Sequence, residues 1–151
     1  MVVTDFRPEK YIEEKVSLAD DYSLTGKLIN GYEYLGAYTS VKNWQEMYLG
    51  MIELIIEDNP QVLIHQVNKT ENGMQYYFDN HRSKPKYKKI YDGIFVNTNT
   101  STRTKMMGLR QLFELYEIDE NELTFVLKTS EENGDVNLKN KTQLKATSRS
   151  I

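Results

Sequence analysis

The residues best suited to chemistry lie in one stretch, "KKIYDGIFVNTNTSTRTKMMGLRQLFELYEI", Lys88 to Ile118. Within it an unbroken run of Asn, Thr and Ser from Asn97 to Thr102 opens onto a helix-like pattern carrying Arg103 and Lys105. Backbone N–H groups at a helix start point outward, and the helix dipole favours negative charge there. Asn99, Thr100, Ser101 and Thr102 are therefore a candidate anion site, with Arg103 or Lys105 as counter-charge. Capping alone is the plainer account, in which a Ser or Thr hydroxyl accepts an N–H from the first turn. Just upstream, "NHRSKPKYKKIY" interleaves Arg82, Lys84, Lys86, Lys88 and Lys89 with Tyr87 and Tyr91. Cations alternating with aromatic rings suit phosphate contact and base stacking. A charged edge strand that discourages aggregation, or a patch that docks on an acidic protein, reads the same way.

The charge is concentrated in this region. From Asn80 to Phe113 eight bases, Arg110 included, face the single acid Asp92, a net +7 in a chain whose total is −3. Acids gather at the N-terminal side and after Glu114, so one basic segment sits inside an acidic protein. The two histidines, His65 and His81, have no partners at metal-ligand spacing, and His65 in "VLIHQV" reads as a half-buried structural residue. With no Cys, a disulfide scaffold, a thiolate metal site and a Cys nucleophile are excluded. Phosphate-binding glycine loops and the nucleophile-elbow motif do not occur. These features point away from an enzyme, a resident metal or a cofactor. No apolar run is long enough to span a bilayer and the first residues lack a signal-peptide pattern, so the expectation is a soluble, cytoplasmic protein.

The elements that must position these residues follow from periodicity. Residues 1–22 read as an N-terminal arm, 23–128 as a single α+β domain and 129–151 as a flexible C-terminal tail, rich in Ser, Asn, Lys and Thr. Asn30-Gly31, between β-prone runs, predicts a hairpin turn. "SVKNWQEMYLGMIELIIEDNP" predicts a helix with Trp44, Met47, Tyr48, Met51, Leu54 and Ile55 inward, Ser40 as its cap and Asn59-Pro60 as its stop. "QVLIHQV" adds a short helical turn, and "MQYYFD" reads as a strand. A second helix is expected over about Thr102 to Tyr116, with Met106, Leu109, Phe113 and Tyr116 inward and Gly108 an awkward guest. "LTFVLK" then alternates as a last strand, half-buried on one face. Shifting the chain by 62 positions lays Gly31 on Gly93, Ser40 on Thr102 and Trp44 on Met106. That echo suggests a pseudo-repeat of hairpin-plus-helix units. The fold expected is two main helices on a small, mostly antiparallel sheet.

At "YDGIFVNTNTSTRTKMMGLRQLFELYEID" the chain resembles an uncharacterised prokaryotic module. Its members carry a strand much like "IYVETNLSA", then a helix, a leucine-rich end and a last strand. The likeness extends over about Thr25 to Lys128, with Trp44 at a helix start and a strand near Tyr76 to Phe78. Asn97, Thr98, Asn99, Thr100 and Ser101 match in kind, although Asn97 replaces an acidic residue and the small residue after Ser101 is missing. The resemblance implies a place in DNA handling, mobile elements or defence, and supplies no catalytic residues. Two readings follow. One is a non-enzymatic binding module of a bacterial or phage nucleic-acid system that contacts its partner through the basic centre. The other is a protein-interaction factor, such as a phage inhibitor of host defence or an adaptor, that docks through an acidic and aromatic face; Tyr is favoured at such interfaces.

Overall fold

The computed structural model describes residues 13–69, 71, 73–82 and 85–128. The expected tail, most of the expected arm and Lys84 lie outside the described residues. In chain order the elements are β1 (Glu14–Ser17), β2 (Ile29–Tyr34), β3 (Ala37–Ser40), α1 (Trp44–Ile56), α2 (Gln61–Val67), β4 (Phe78–Asp79), β5 (Tyr87–Tyr91), β6 (Ile94–Asn97), α3 (Thr102–Leu115) and β7 (Leu123–Leu127). A 3₁₀ turn, Glu120–Glu122, precedes β7. The strands form two antiparallel sheets, ordered β1-β7-β2-β3 and β4-β6-β5. The fold is α+β.

Residues 14–17, placed by the sequence pattern in the arm, are instead an edge strand of the larger sheet, with Val16 paired to Phe125 and buried. Val16 and Leu18 supply the apolar contacts that hold it there. Along β7, Leu123, Phe125 and Leu127 face the core as the alternation predicts, but Val126 is buried too. The strand lies between β1 and β2, and on its other face the Tyr38 side chain lies across Gly31, the cross-strand partner of Val126.

The first hairpin turns at Leu35-Gly36, not at Asn30-Gly31. Leu35 has φ 51° and Gly36 φ 85°, the paired left-handed conformation of a tight hairpin turn. Gly31 serves a different purpose inside β2. A Cβ there would strike the Tyr38 hydroxyl and lie 2.5 Å from the Thr39 carbonyl, and the pairing with β7 shifts register beside it.

Helix α1 begins three residues later than a Ser40 cap would place it. Ser40 is in β3, and Asn43 is the cap: its Oδ1 accepts from Glu46 N–H at 2.8 Å while Glu46 Oε1 accepts from Lys42 N–H at 2.7 Å. Met47, Tyr48, Met51, Ile52, Ile55 and Ile56 are buried, whereas Leu54 faces out, 42% exposed. Trp44 is half-buried at the helix start, its ring edge-on to Phe125 at 5.4 Å and its Nε1–H donating to the Lys27 carbonyl at 2.8 Å. Of "MQYYFD" only Phe78 and Asp79 are strand, because Tyr77 and Phe78 N–H both return to the Met74 carbonyl at 2.8 Å and close a turn.

One apolar core joins both sheets and all three helices, with Met51, Leu63, Phe78, Val96, Leu109, Phe113 and Phe125 fully enclosed. Two hairpin-plus-helix units recur around it: β2-β3-α1 and β5-β6-α3. The offset is 57 residues for the hairpin turns, Leu35-Gly36 against Asp92-Gly93, and 58 for the helices, not the 62 that the sequence suggested. The five-residue difference is the separation between Gly31, inside β2, and Gly36 at the turn.

Candidate functional site

The basic segment folds largely as β5, an edge strand of the smaller sheet, hairpinned to β6 through Asp92-Gly93 with Gly93 at φ 84°. Consecutive side chains along β5 point to opposite faces of the sheet, so Lys88 and Lys89 lie on different faces. Tyr87 pairs with Asn97 and both are buried, while Lys88 and Lys89 are exposed opposite Val96 and Phe95. Tyr87 is thus a core residue rather than a stacking platform: 6% exposed, its hydroxyl donates to the Gln75 and Tyr76 carbonyls at 3.3 and 3.0 Å. A partly exposed aromatic of this hairpin is instead Phe95, which the composition of the basic segment does not single out. Phe95 is half-buried, cross-strand from Lys89, and the Arg82 guanidinium lies over its ring at 5.7 Å. The available sequence signal was the alternation of "IFVN", which sends Phe95 to the face opposite Ile94 and Val96.

Among the described residues, the exposed cations of this region are Arg82, Lys86, Lys88 and Lys89. Lys89 reaches Asp92 at 3.0 Å, an exposed pair that water and salt screen. At the sheet's other edge, Asp79 is buried, accepts from Asn80 N–H at 2.8 Å and lies 3.6 Å from His81 Nδ1. His65 is exposed in the last turn of α2, not half-buried, where a basic side chain suits the helix dipole.

The polar run starts α3 by capping. Ser101 is the N-cap, its hydroxyl accepting from Thr104 N–H at 3.1 Å, and Asn97 Oδ1 accepts from Asn99 N–H at 3.1 Å. Thr98 closes the hairpin, its N–H and hydroxyl both donating to the Lys86 carbonyl at 3.2 and 2.6 Å. Lys105 turns inward instead of projecting as a counter-charge. It is 5% exposed, its ammonium donates to the Thr100 carbonyl at 2.7 Å and Thr100 Oγ1 at 3.0 Å, and it lies 5.7 Å from the Tyr48 ring centre. Desolvation lowers the Lys105 pKa below the usual lysine value, and burial pushes that of Tyr48 well above the usual phenol range. Arg103 is exposed but lines a polar groove with Asp21, Ser23, Thr25 and Arg110, whose guanidinium donates to the Leu18 carbonyl at 2.9 Å.

The structure therefore separates residues that the sequence grouped. Arg82, Lys86, Lys88 and Lys89 belong to the hairpin, Arg103 to the α3 groove, and Tyr87 and Lys105 to the interior. Thr100 and Ser101 serve the helix start, with Thr102 its first residue and Asn99 exposed beside it.

Among the described residues no group of three His, Asp or Glu could hold a metal ion, and no helix is long and apolar enough to cross a membrane. The architecture defines an α+β protein with a basic, aromatic-bearing hairpin edge. Compared with protein-family models, curated proteins and solved structures, the chain matches none.

Proposed function

We propose that this protein is a non-enzymatic binding module of a nucleic-acid-associated system, and that it contacts a single-stranded or duplex polyanion through the β5-β6 hairpin. The observation that supports this reading is the cation-aromatic face of the smaller sheet, where Lys89 lies directly across from Phe95 with Arg82 over the same ring; Lys88, across from Val96, and Lys86 just before the strand add exposed cations to the same hairpin. Phosphates are held by cations that displace the nucleic acid's own counterions, and the accessible part of an aromatic ring face can take a base by stacking. The resemblance of Asn97 to Ser101 to the prokaryotic signature belongs to the same reading, since it would place the module in DNA handling, mobile elements or defence. In this reading the α3 start orients the hairpin, through Thr98, and is not itself the anion site.

The test is fluorescence anisotropy with labelled oligonucleotides over a range of salt. An Arg82→Glu/Lys88→Glu/Lys89→Glu variant should bind more weakly and lower the salt slope by about one unit for each phosphate no longer neutralised, about three in all. Its melting temperature should stay near the parent's, because exposed charges contribute little to folding. Equal binding by variant and parent would refute the hairpin as the contact surface.

A further inference from the structure

The same strand that carries Lys88 and Lys89 continues into a groove of opposite character. Ile90 and Tyr91 at the end of β5 face Gly50, Glu53, Leu54 and Glu57 along α1, enclosing about 400 Å³. Its floor is apolar and open to solvent, with Leu54 42% and Tyr91 45% exposed. Its rim is acidic: Glu53 and Glu57 are exposed, one helical turn apart, and neither forms an ion pair among the described residues. The placement of these carboxylates runs against what a helix end favours. Carbonyls at the C-terminus of α1 already make that end negative, its last turn holds no basic residue, and two glutamates add to the negative potential. A cation supplied from outside would relieve it, and the apolar floor calls for a bulky side chain.

We propose that this groove docks a short segment of another polypeptide in which Lys or Arg flanks a bulky apolar side chain. Acidic or purely polar segments are disfavoured, by the rim and by the floor respectively. This surface is distinct from the polyanion-binding hairpin face, so either proposal can fail without the other. The molecule would then present surfaces of opposite charge on one short strand, which is the arrangement of an adaptor.

The probe is a fluorescein-labelled synthetic peptide of alternating Lys-Lys and Leu-Leu pairs, with a control carrying Glu for each Lys. The parent protein should bind the basic peptide and not the acidic one. A Glu53→Lys/Glu57→Lys variant and a Leu54→Ser/Tyr91→Ser variant should each bind about tenfold more weakly, the scale of 1.4 kcal/mol. Circular dichroism melts establish folding, and the charge-reversed variant should be at least as stable as the parent because it complements the helix dipole. Oligonucleotide binding by a Leu54→Ser variant, whose change lies on α1 outside the β5-β6 hairpin and alters no charge, should match the parent's. The inference is overturned if the basic peptide does not bind, if the acidic peptide binds equally, or if either variant retains full affinity. An affinity that depends on the glutamates alone would also overturn it, since attraction of charge without the apolar floor is not docking.

Discussion

The β2-β3-α1 and β5-β6-α3 units follow the same order of turn, strand, cap and helix, yet their charges differ in sign. Residues 29–56 hold three acids and one base, whereas residues 87–115 hold five bases and two acids. The first helix start supplies its own carboxylate, Glu46, which accepts from the Lys42 N–H while Asn43 caps the helix. The second has no acid in its first turn and is capped by the Ser101 hydroxyl. Their interiors correspond more closely: Met51 matches Leu109, both fully enclosed, and Gly50 matches Gly108, each with a tyrosine hydroxyl against the helix. At one pair the correspondence is chemically uneven, with Met47 buried in α1 where Lys105 is buried in α3. One local scaffold thus recurs, and apart from the buried Lys105 the difference in charge resides in side chains that do not build the core.

The largest effect expected is on that shared interior. Met51→Ala and Leu109→Ala should each lower stability by about 2–5 kcal/mol in urea unfolding, the range for deleting a buried side chain. A near-neutral result at either position would show that the two helices are not packed alike. Substituting the matched glycines should separate them. Gly108→Ala places a methyl against the enclosed Tyr48 hydroxyl and 3.1 Å from Tyr77, and should destabilise by about 1–3 kcal/mol despite the better helix propensity of Ala. Gly50→Ala meets only the Tyr32 hydroxyl, at 3.2 Å, and should cost less in the same assay.

A smaller effect distinguishes the caps. Ser101→Ala should lower stability by about 1 kcal/mol. Thr104→Glu transplants the carboxylate of α1 to the matching place in α3, and should stabilise by about 0.3–1 kcal/mol at low salt. Thermal melts at low and high salt would check both, since the Glu gain, unlike the effect of removing the cap, should fade with salt.

The smallest effect concerns Lys105, whose pKa is lowered by desolvation among Thr100 and the Tyr48 ring. A lysine depressed in the folded state releases its proton before the unfolded chain does. Its burial cost is therefore fully present at neutral pH and is relieved as pH rises from the folded pKa towards the usual lysine value. Stability of the parent relative to Lys105→Met should rise with pH in that alkaline window. Tyr48, raised by burial, opposes this trend at the alkaline end, because its neutral form is favoured in the fold. Paired denaturation curves at stepped alkaline pH would show the slope, and its absence would mean that the Lys105 ammonium is solvated.

The sequence by itself determined what depends on near neighbours. Apolar spacing of three and four located both long helices, α3 to within a residue at each end and α1 to within about three. The Ser101 cap was readable because a hydroxyl and an N–H three residues on meet without help from the rest of the chain. Concentration of Arg82, Lys86, Lys88 and Lys89 in one segment was equally plain. Tertiary structure alone decided which of the grouped residues face solvent. Tyr87 and Lys105 are as polar in sequence as their neighbours, but strand pairing to β6 and packing of α3 on Tyr48 turn them inward. Asn30-Gly31 has the composition of a turn, and it lies within β2 because β7 pairs alongside and Tyr38 crosses over Gly31. Residues 14–17 could not be read as a strand for the same reason. Their partner, β7, lies about 110 residues away, and a short edge strand is held by that partner's hydrogen bonds and core face rather than by its own pattern.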